Sequence, residues 1–358
     1  MLRIAIAAQA SYTAAGEHGP WFDDQQLLEA LIARGHTAAI IAWEHPHDLQ
    51  QYDAIYVSST WNDCSDPPRF LEWLAACEQD GHSRLINDRA ILELGFAKQR
   101  YWQVLTKLLE QHPAIAALGQ LIPSRFFLQA AAAGSGFEAV DGRSLAEILA
   151  AADHDPLWRQ ANIVLKPTIS ADGINTFVYN RQQHTIPIDD AKRAEFVISE
   201  MSNANRTFQH LAADQHRQGV LLQPYMTGVE AGEYSLIFLG QQCTHAIQKP
   251  KLFKGDGSSR RRMVPLEQIP ARMAAFSQQL VAALHATAGI GAISRLRLDL
   301  FDQGGIPMLC ELECVSPNIN LRVIAREDPS AAAQITERYA ETIAARALAL
   351  RHQAQHEI

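Results

Sequence analysis

The first hundred residues alternate between strand and helix patterns, and this alternation limits the folds open to the chain. Apolar runs at 2–8, 36–43 and 52–61 have the length and composition of buried strands, and helix-like segments follow them. Such a rhythm predicts a parallel sheet with helices on both faces. Ligands of these sheets bind beyond the carboxyl ends of the strands. The sequence therefore places Ser58 to Asp63, and also Asn87, beside a crevice.

The first helix pattern starts near two acidic residues and ends at Gly35. Either Asp23 or Asp24 has the residue type that is typical of a helix N-cap. The apolar positions of the pattern recur at helical spacing and predict a buried stripe. They are Leu27, Leu28, Leu31 and Ile32.

The chain changes character near residue 121. From there to about residue 227, strand and helix patterns mix without the earlier rhythm, and two strand hairpins and a long terminal helix follow. We therefore expect an α/β (α+β) protein with three sections. These are an N-terminal parallel-sheet domain (1–120), a small α+β section (121–227) and a mainly antiparallel C-terminal section (228–358).

Charge and composition exclude several classes of partner. The net charge of −8 argues against a nucleic-acid partner, which would need a basic surface. The sequence contains no run of about 18 apolar residues, so it predicts no membrane-spanning helix. The first residues lack the pattern of a signal peptide, and none of the five cysteines has CxxC spacing. We expect a cytoplasmic protein that contains neither a zinc site nor a disulfide framework.

The second hairpin, RLRLDLFDQGGIPMLCELECV (295–315), carries several acids on one strand face. Period-two alternation puts Glu311 and Glu313 on the same face, and the turn at residues 302–305 would bring Asp299 opposite them. Carboxylates 4 Å apart repel by roughly 4 kcal/mol per pair at an effective dielectric constant near 20. Arg297 would offset part of this repulsion, and Mg²⁺ would offset more. A solvated strand face with one surface ion pair is the alternative.

Basic residues lie in two other segments that could face this hairpin. Lys166 ends the apolar strand NIVLKP, where it could reach a phosphate or could simply terminate the strand. A basic, glycine-containing segment includes Lys249, Lys251, Lys254 and the arginines at 260–262. Such a run is usually a solvated loop, and beside an acidic metal site it would instead hold phosphates or a substrate carboxylate.

Five short motifs in a fixed order resemble the ATP-grasp superfamily. They are FAKQRY (96–101), IVLKP (163–167), LLQPYM (221–226), RLDL (297–300) and ELECVSPN (311–318). Within that superfamily the chain resembles the O-ureido-serine cyclo-ligase group of the D-cycloserine pathway and the glutathione-synthetase-like ligases. The resemblance implies an ATP-grasp fold, in which the middle section is a lid over the nucleotide. One departure is that the segment after Lys166, KPTISADGINTF, contains only Gly173 where relatives have a glycine-rich flap.

The resemblance also implies roles for the nucleotide-binding residues. Lys98 and Lys166 would contact the ATP phosphates, and Glu233 would hold the ribose. The adenine edge would face the strand end formed by Gln223, Pro224, Tyr225 and Met226.

Metal and catalytic roles follow mainly from the same resemblance, and the substrate contacts are taken from the predicted crevice, the basic segment and the last motif. Two Mg²⁺ ions, replaceable by Mn²⁺, would bind Asp299, Glu311 and Glu313. The catalytic cations would be Arg297, Lys166 and Lys249, with Arg297 orienting an acyl phosphate. The candidate substrate contacts are Trp61, Asn87, Arg260 and Asn318, although Trp61 could equally be a core anchor.

The implied activity is ATP-dependent ligation of a carboxylate to an amine through an acyl phosphate, with amino acids or their derivatives as substrates. An ATP-grasp phosphotransferase and a non-catalytic nucleotide-binding protein are the alternatives. The partners would be small molecules, and neither homodimer formation nor intramolecular cyclisation is decided by the sequence. His245, on a hairpin strand, is expected to be structural.

Overall fold

The computed structural model describes residues 1–78, 83–128, 137–139, 142–170, 175–181, 197–214, 218–249 and 261–356. Three sheets organise these residues. No helix among the described residues has the length and apolar character needed to cross a membrane.

The N-terminal sheet is parallel, as the strand and helix alternation predicted. Its strands are β1 (Arg3–Ala8), β2 (Thr37–Ala42) and β3 (Ala54–Val57), in the order β2-β1-β3. Near residue 85 the chain adds a single parallel bridge, between Ile55 and Leu85. Helices α1 (Phe22–Ala33) and α2 (Pro67–Ala76) follow β1 and β3, and the side chain of Asp66 caps α2.

The predicted N-cap of α1 is wrong. The cap position is Trp21, and both acids lie inside the first helical turn, where Asp23 is 4% and Asp24 1% exposed. Their carboxylates therefore point into the protein. The predicted apolar stripe is only partly buried, since Leu27 is fully buried and Ile32 is 53% exposed.

The second sheet occupies the middle section and has the order β6-β5-β10-β7-β8-β9. Its strands are β5 (Arg125–Leu128), β6 (Glu138–Ala139), β7 (Ile163–Pro167), β8 (Phe177–Tyr179), β9 (Val197–Ile198) and β10 (Gly219–Pro224). Its helices are α6 (Leu145–Ala152), α7 (Pro156–Gln160) and α8 (Met201–Ala213). Leu145, Phe208 and Leu222 are among the side chains that form its own apolar core.

The third sheet is mainly antiparallel and has the order β13-β12-β11-β14-β15-β4. Its strands are β4 (Gln120–Leu121), β11 (Glu233–Leu239), β12 (Gln242–Lys249), β13 (Arg262–Val264), β14 (Arg295–Gln303) and β15 (Ile306–Glu313). Both predicted hairpins are present, with turns at Gly240 and at Gly304–Gly305, and these glycines have positive φ. Only the β15–β4 pairing is parallel among the described pairs of this sheet.

The remaining helices join the sheets. They are α3 (Arg89–Phe96), α4 (Lys98–Gln111), α5 (Pro113–Ala116), α9 (Ala271–Ala286), α10 (Leu321–Glu327) and α11 (Pro329–His356). The long helix α11 shares one apolar cluster with α1, β1 and β3, and this cluster also contains Ile237 of β11. The N-terminal and C-terminal sections therefore pack through a common core.

Candidate nucleotide and carboxylate site

Hairpin β14–β15, the carboxylate hairpin, has the predicted pairing of charged residues. Asp299 lies opposite Glu311, and Arg297 lies opposite Glu313. Directly after Asp299 the register shifts by one residue, because Leu300 pairs with Leu309 and Cys310 is the extra residue. Bulges of this kind bend a strand and change the direction of its side chains. All four charged side chains remain on one face.

Asp299 is the buried centre of an ion network. It is 2% exposed. The guanidinium of Arg297 donates to both carboxylate oxygens, at 2.9 Å each, and Ser235 Oγ donates to Oδ1 at 2.6 Å. Lys249 Nζ donates to Oδ2 at 2.8 Å. Burial alone would raise the pKa of Asp299, but Arg297 and Lys249 outweigh it and hold that pKa below its usual value.

Lys249 links this network to the neighbouring strand β11. Its ammonium donates to Glu233 Oε1 at 2.7 Å, and Glu233 is 8% exposed. Burial raises the pKa of Glu233, Lys249 lowers it and Asp299 raises it again. The predicted catalytic lysine and the predicted ribose-binding acid thus lie in direct contact.

The negative charges of the two glutamates of β15 are compensated less completely than the charge of Asp299. The backbone N–H groups of Val315 and Ser316 donate to Glu313 Oε1 at 3.0 and 3.2 Å. Burial raises the pKa of Glu313, Arg297 lowers it, and Glu311 raises it. The side chain of Glu311 is 32% exposed, and its Oε1 lies 3.5 Å from Lys98 Nζ. Two carboxylates therefore share a face with few compensating cations.

Two lysines from separate elements meet beside Glu311. Lys98 begins α4 and is buried, and its Nζ donates to the backbone oxygen of Ser170 at 2.8 Å. Lys166 ends β7 and is half-buried. Burial lowers the pKa of Lys166 and Lys98 lowers it further, whereas Glu311 raises it. Within the described ranges, no hydrogen bond or ion pair joins the Lys166 ammonium to another residue.

A metal ion fits part of the predicted ligand set. Glu311 and the Oε2 atom of Glu313 carry no hydrogen bond from the described residues, and hard oxygen donors of this type suit Mg²⁺. Asp299 does not fit in this arrangement, because Arg297, Lys249 and Ser235 already occupy both of its oxygens. Across the described residues, no three His, Cys, Asp or Glu side chains are grouped to hold a metal. The three-acid metal site stays a prediction.

The predicted adenine edge follows strand β10. Gln223 is buried and donates from Nε2 to Ser124 Oγ at 2.8 Å, and Pro224 is the last strand residue. The N–H of Tyr225 donates to the backbone oxygen of Asn162 at 2.7 Å. Met226 packs on the large apolar cluster of the third sheet. Backbone leaves the sheet here, as predicted, and nucleotide contact remains a prediction.

The predicted substrate residues have different surroundings. Trp61 Nε1 donates to the backbone oxygen of Ser316 at 2.9 Å, beside the carboxylate hairpin. The backbone oxygen of Asn318 accepts from Arg297 at 3.3 Å. Arg260, like Asp172 and Gly173 of the expected flap, lies outside the described residues.

Asn87 has its hydrogen-bonding capacity filled. Its amide donates to the backbone oxygens of Arg295 and Cys314, at 2.9 and 2.8 Å. Its Oδ1 accepts from the N–H groups of Ser294 and Arg295. A side-chain amide makes four such bonds at most, so this geometry favours a role in joining the N-terminal section to the carboxylate hairpin.

Two further titratable side chains bear on the site. His245 is buried, with Nε2 2.8 Å from the backbone oxygen of Ile319, and burial lowers its pKa to about 4. This agrees with a structural role. Sequence reasoning gave no role to Asp63, although it placed this residue near the crevice. Burial, and then Glu313, raise the pKa of Asp63 to about 8.

Superposition on solved structures over nearly the whole chain shows the ATP-grasp fold, so the resemblance found in the sequence is confirmed at the level of fold. The D-alanine–D-alanine ligase of Bacillus anthracis solved with ATP superposes with a TM-score of 0.57 at 11% identity, over 99% of each chain. The ATP-grasp ligase PsnB, in complex with a minimal precursor, gives 0.55 at 14% identity, over 96% of this chain and 98% of that one.

The N-terminal section has a more specific similarity, to a domain of D-cycloserine synthetase. Residues 4–87 match the family model of the N-terminal domain of D-cycloserine synthetase DcsG. The crystal structure of D-cycloserine synthetase DcsG superposes with a TM-score of 0.64 at 21% identity, covering 94% of this chain and 99% of that one. Comparison with curated protein sequences found no match.

Proposed function

We propose that this protein is an ATP-dependent ligase that joins a carboxylate to an amine and releases ADP and phosphate. One observation carries the proposal. Lys98 and Lys166, from two sections of the chain, lie beside Glu311, which shares its strand face with Glu313 in the third sheet. Close lysines suit phosphate oxygens, and paired glutamates suit the metal that accompanies a nucleotide. The fold relatives include ligases solved with nucleotide, which supports the same assignment.

In the proposed reaction the substrate carboxylate attacks the γ-phosphate of ATP and forms an acyl phosphate. The amine then displaces phosphate, which is a far better leaving group than a carboxylate oxygen. Lys98, held by Ser170 and lying 3.5 Å from Glu311, would fix one phosphate position, and the ammonium of Lys166, which has no partner among the described residues, would bind another. Positioning and charge stabilisation of this kind supply most of the catalysis of phosphoryl transfer.

Glu311 and Glu313 would hold magnesium, and the metal would neutralise charge on the phosphates when bound. Arg297 has a different task. Its Nε and Nη2 atoms bind Asp299, and its Nη1 lies 3.3 Å from the Asn318 oxygen. This fixes a buried cation beside Glu313, where it would orient the acyl phosphate. Lys249 would have to exchange Asp299 or Glu233 for a substrate oxygen to act directly.

A phosphate-release screen tests the proposal. Amino acids are supplied singly and in pairs with ATP and Mg²⁺, and free phosphate and the organic products are measured. Release that requires two partners together supports ligation, and release with a single amino acid that loses water supports cyclisation. Phosphate retained on an organic product would show a phosphotransferase. Nucleotide binding without release by any pair would contradict a catalytic role.

A further inference from the structure

A recess opens between the N-terminal section and the loop that follows the carboxylate hairpin. Its empty volume, counted to the open mouth, is about 190 Å³. That figure includes open solvent, and the space open to the centre of a water-sized sphere is about 10 Å³. One water molecule needs roughly 10–15 Å³ by this measure, so the recess suits a head group no larger than an ammonium. The lining residues used below are Trp21, Asp23, Asp24, Trp61, Arg295 and Asn318.

Asp23 is the unusual residue of this lining. It is 4% exposed, and no described residue makes a hydrogen bond of normal geometry to either of its carboxylate oxygens. The backbone N–H groups of Leu321 and Arg322 and the indole of Trp21 interact with it and lower its pKa, but they do not offset its burial. Burial, followed by the charge of Asp24, raises that pKa to about 7. A buried acceptor without a partner is costly, and a donor from a ligand would remove the cost.

The other charges around the recess are already engaged. Ser58 Oγ donates to Asp24 Oδ1 at 2.5 Å, and Ser59 Oγ donates to Oδ2. The buried guanidinium of Arg295 donates to the Tyr339 hydroxyl at 2.9 Å and to backbone oxygens. No ion pair joins Arg295 to an acid within the described ranges. Asp23 is therefore the acid of this recess that lacks hydrogen bonds of normal geometry from the described residues.

The wall of the recess is aromatic. The rings of Trp21 and Trp61 meet edge to face with centroids 4.9 Å apart, and Tyr12 contacts both, at 5.5 and 5.4 Å. Aromatic faces attract organic cations. Arg322 already lies 5.6 Å from the Trp21 ring. An acidic floor with aromatic sides selects an ammonium group over a carboxylate or a phosphate.

One loop separates this recess from the carboxylate hairpin. Ser316 donates its N–H to Glu313 and accepts the indole N–H of Trp61. Two residues later, Asn318 lines the recess and accepts from Arg297. A molecule with its ammonium group in the recess would therefore direct its remaining atoms over residues 316–318, toward Arg297 and Glu313.

We propose that the recess at Asp23 binds the primary ammonium group of an amino-acid substrate, whose carboxylate faces the carboxylate hairpin. The inference rests on the proposed function for the direction of the carboxylate. It names Asp23 as a substrate-binding residue and Trp21 and Trp61 as the sides of the subsite.

The first experiment uses the unmodified protein without ATP. Each proteinogenic amino acid, in both enantiomers, is added and the melting temperature is measured. For every amino acid that raises it, the same acid without its amino group is compared. We expect at least one amino acid to stabilise the protein and its desamino analogue to have no effect. Equal stabilisation by both members of every pair, or none by any amino acid, overturns the inference.

The second experiment compares Asp23→Asn with Glu29→Gln, which removes one exposed carboxylate from the same helix. Losing a charge-assisted hydrogen bond should weaken binding of the stabilising amino acid roughly 10- to 100-fold in Asp23→Asn. Glu29→Gln should bind like the wild type. Wild-type affinity in a folded Asp23→Asn variant overturns the inference. If that variant does not fold, the comparison with desamino analogues decides.

These experiments distinguish a failure of the Asp23 subsite from a failure of the proposed ligase function. Asp23-dependent binding with no phosphate release by any amino-acid pair would keep the subsite and contradict the ligase. Phosphate release that is equal with desamino acids and in Asp23→Asn would keep the ligase and overturn the subsite. Potassium chloride is tested in parallel. Stabilisation by this salt that depends on Asp23, with none by amino acids, would show an inorganic cation site and overturn the inference.

Discussion

Replacement of Asp299 by asparagine tests whether the buried ion network holds the site together. The variant keeps the size of the side chain and removes its charge. Arg297 loses a bidentate partner, with both contacts at 2.9 Å, and Lys249 loses the contact at 2.8 Å. Both cations would stay in a buried environment, with Glu233 and Glu313 as the remaining anions nearby.

The expected cost follows from this burial. Removal of one partner from a buried ion pair costs about 3–5 kcal/mol, because the other charge is left uncompensated. The contacts of Lys249 with Glu233 persist in the variant, so we expect the lower end, about 3 kcal/mol. The folded-state pKa of Asp299 lies below its ordinary value. Its stabilising effect is therefore complete above pH 4 or so and declines as the pH falls further, toward the folded-state pKa.

Urea unfolding at pH 7, followed by tryptophan fluorescence, measures the difference. Glu337→Gln is the matched control, because it breaks the exposed pair Arg34–Glu337 at 2.7 Å, and such pairs contribute about 0–1 kcal/mol. A free energy of unfolding for Asp299→Asn within 1 kcal/mol of the control would refute the reasoning. It would mean that solvent or other groups balance Arg297 and Lys249 without Asp299.

Three further changes test other parts of the structure. Lys166→Met should weaken binding of a non-hydrolysable ATP analogue at least 10-fold in titration calorimetry, since it removes a cation without a partner among the described residues. Lys107→Met, on an exposed helix face, should leave that binding unchanged. His245→Gln should lower the free energy of unfolding at pH 7, because the neutral buried imidazole stabilises the fold above its unfolded-state pKa. The difference from wild type should shrink by up to about 3 kcal/mol between pH 6.5 and 4. A difference in urea unfolding that stays constant over this range would contradict the prediction. Gly95→Ala should destabilise the protein by about 1–3 kcal/mol, because the new methyl group would lie 2.2 Å from Cys314 Sγ, and an unchanged urea midpoint would argue against this packing.

The elements that local pattern determines could be predicted from the sequence. Period-two alternation sets the faces of a strand, so Asp299 was predicted to lie opposite Glu311 and Glu313, and its pairing with Glu311 is confirmed. The turn alone would pair Asp299 with Cys310, and the one-residue bulge there gives the observed register. The strand and helix rhythm predicted the parallel N-terminal sheet in the same way. The ordered motifs added the ATP-grasp fold, which the comparisons support.

Contacts between distant parts of the chain could not be predicted from these patterns. Lys249 reaches Asp299 across 50 positions of sequence, and nothing in either segment specifies that pairing. Asn87 was considered as a substrate contact, yet its partners come from more than 200 residues away. The sequence left Asp63 without a role, because its raised pKa depends on burial and on Glu313.

By itself, then, the sequence determined which residues share a strand face or a helix turn. It also determined in what order the three sections follow one another along the chain, because these properties depend on neighbouring residues. Only the tertiary structure decided which charges compensate one another. It directed Asp23 inward instead of capping α1, and it left Lys166 unpaired among the described residues. The physical reason is that burial and the distances between distant segments set the energy of a charge, and both arise only when the sheets pack together.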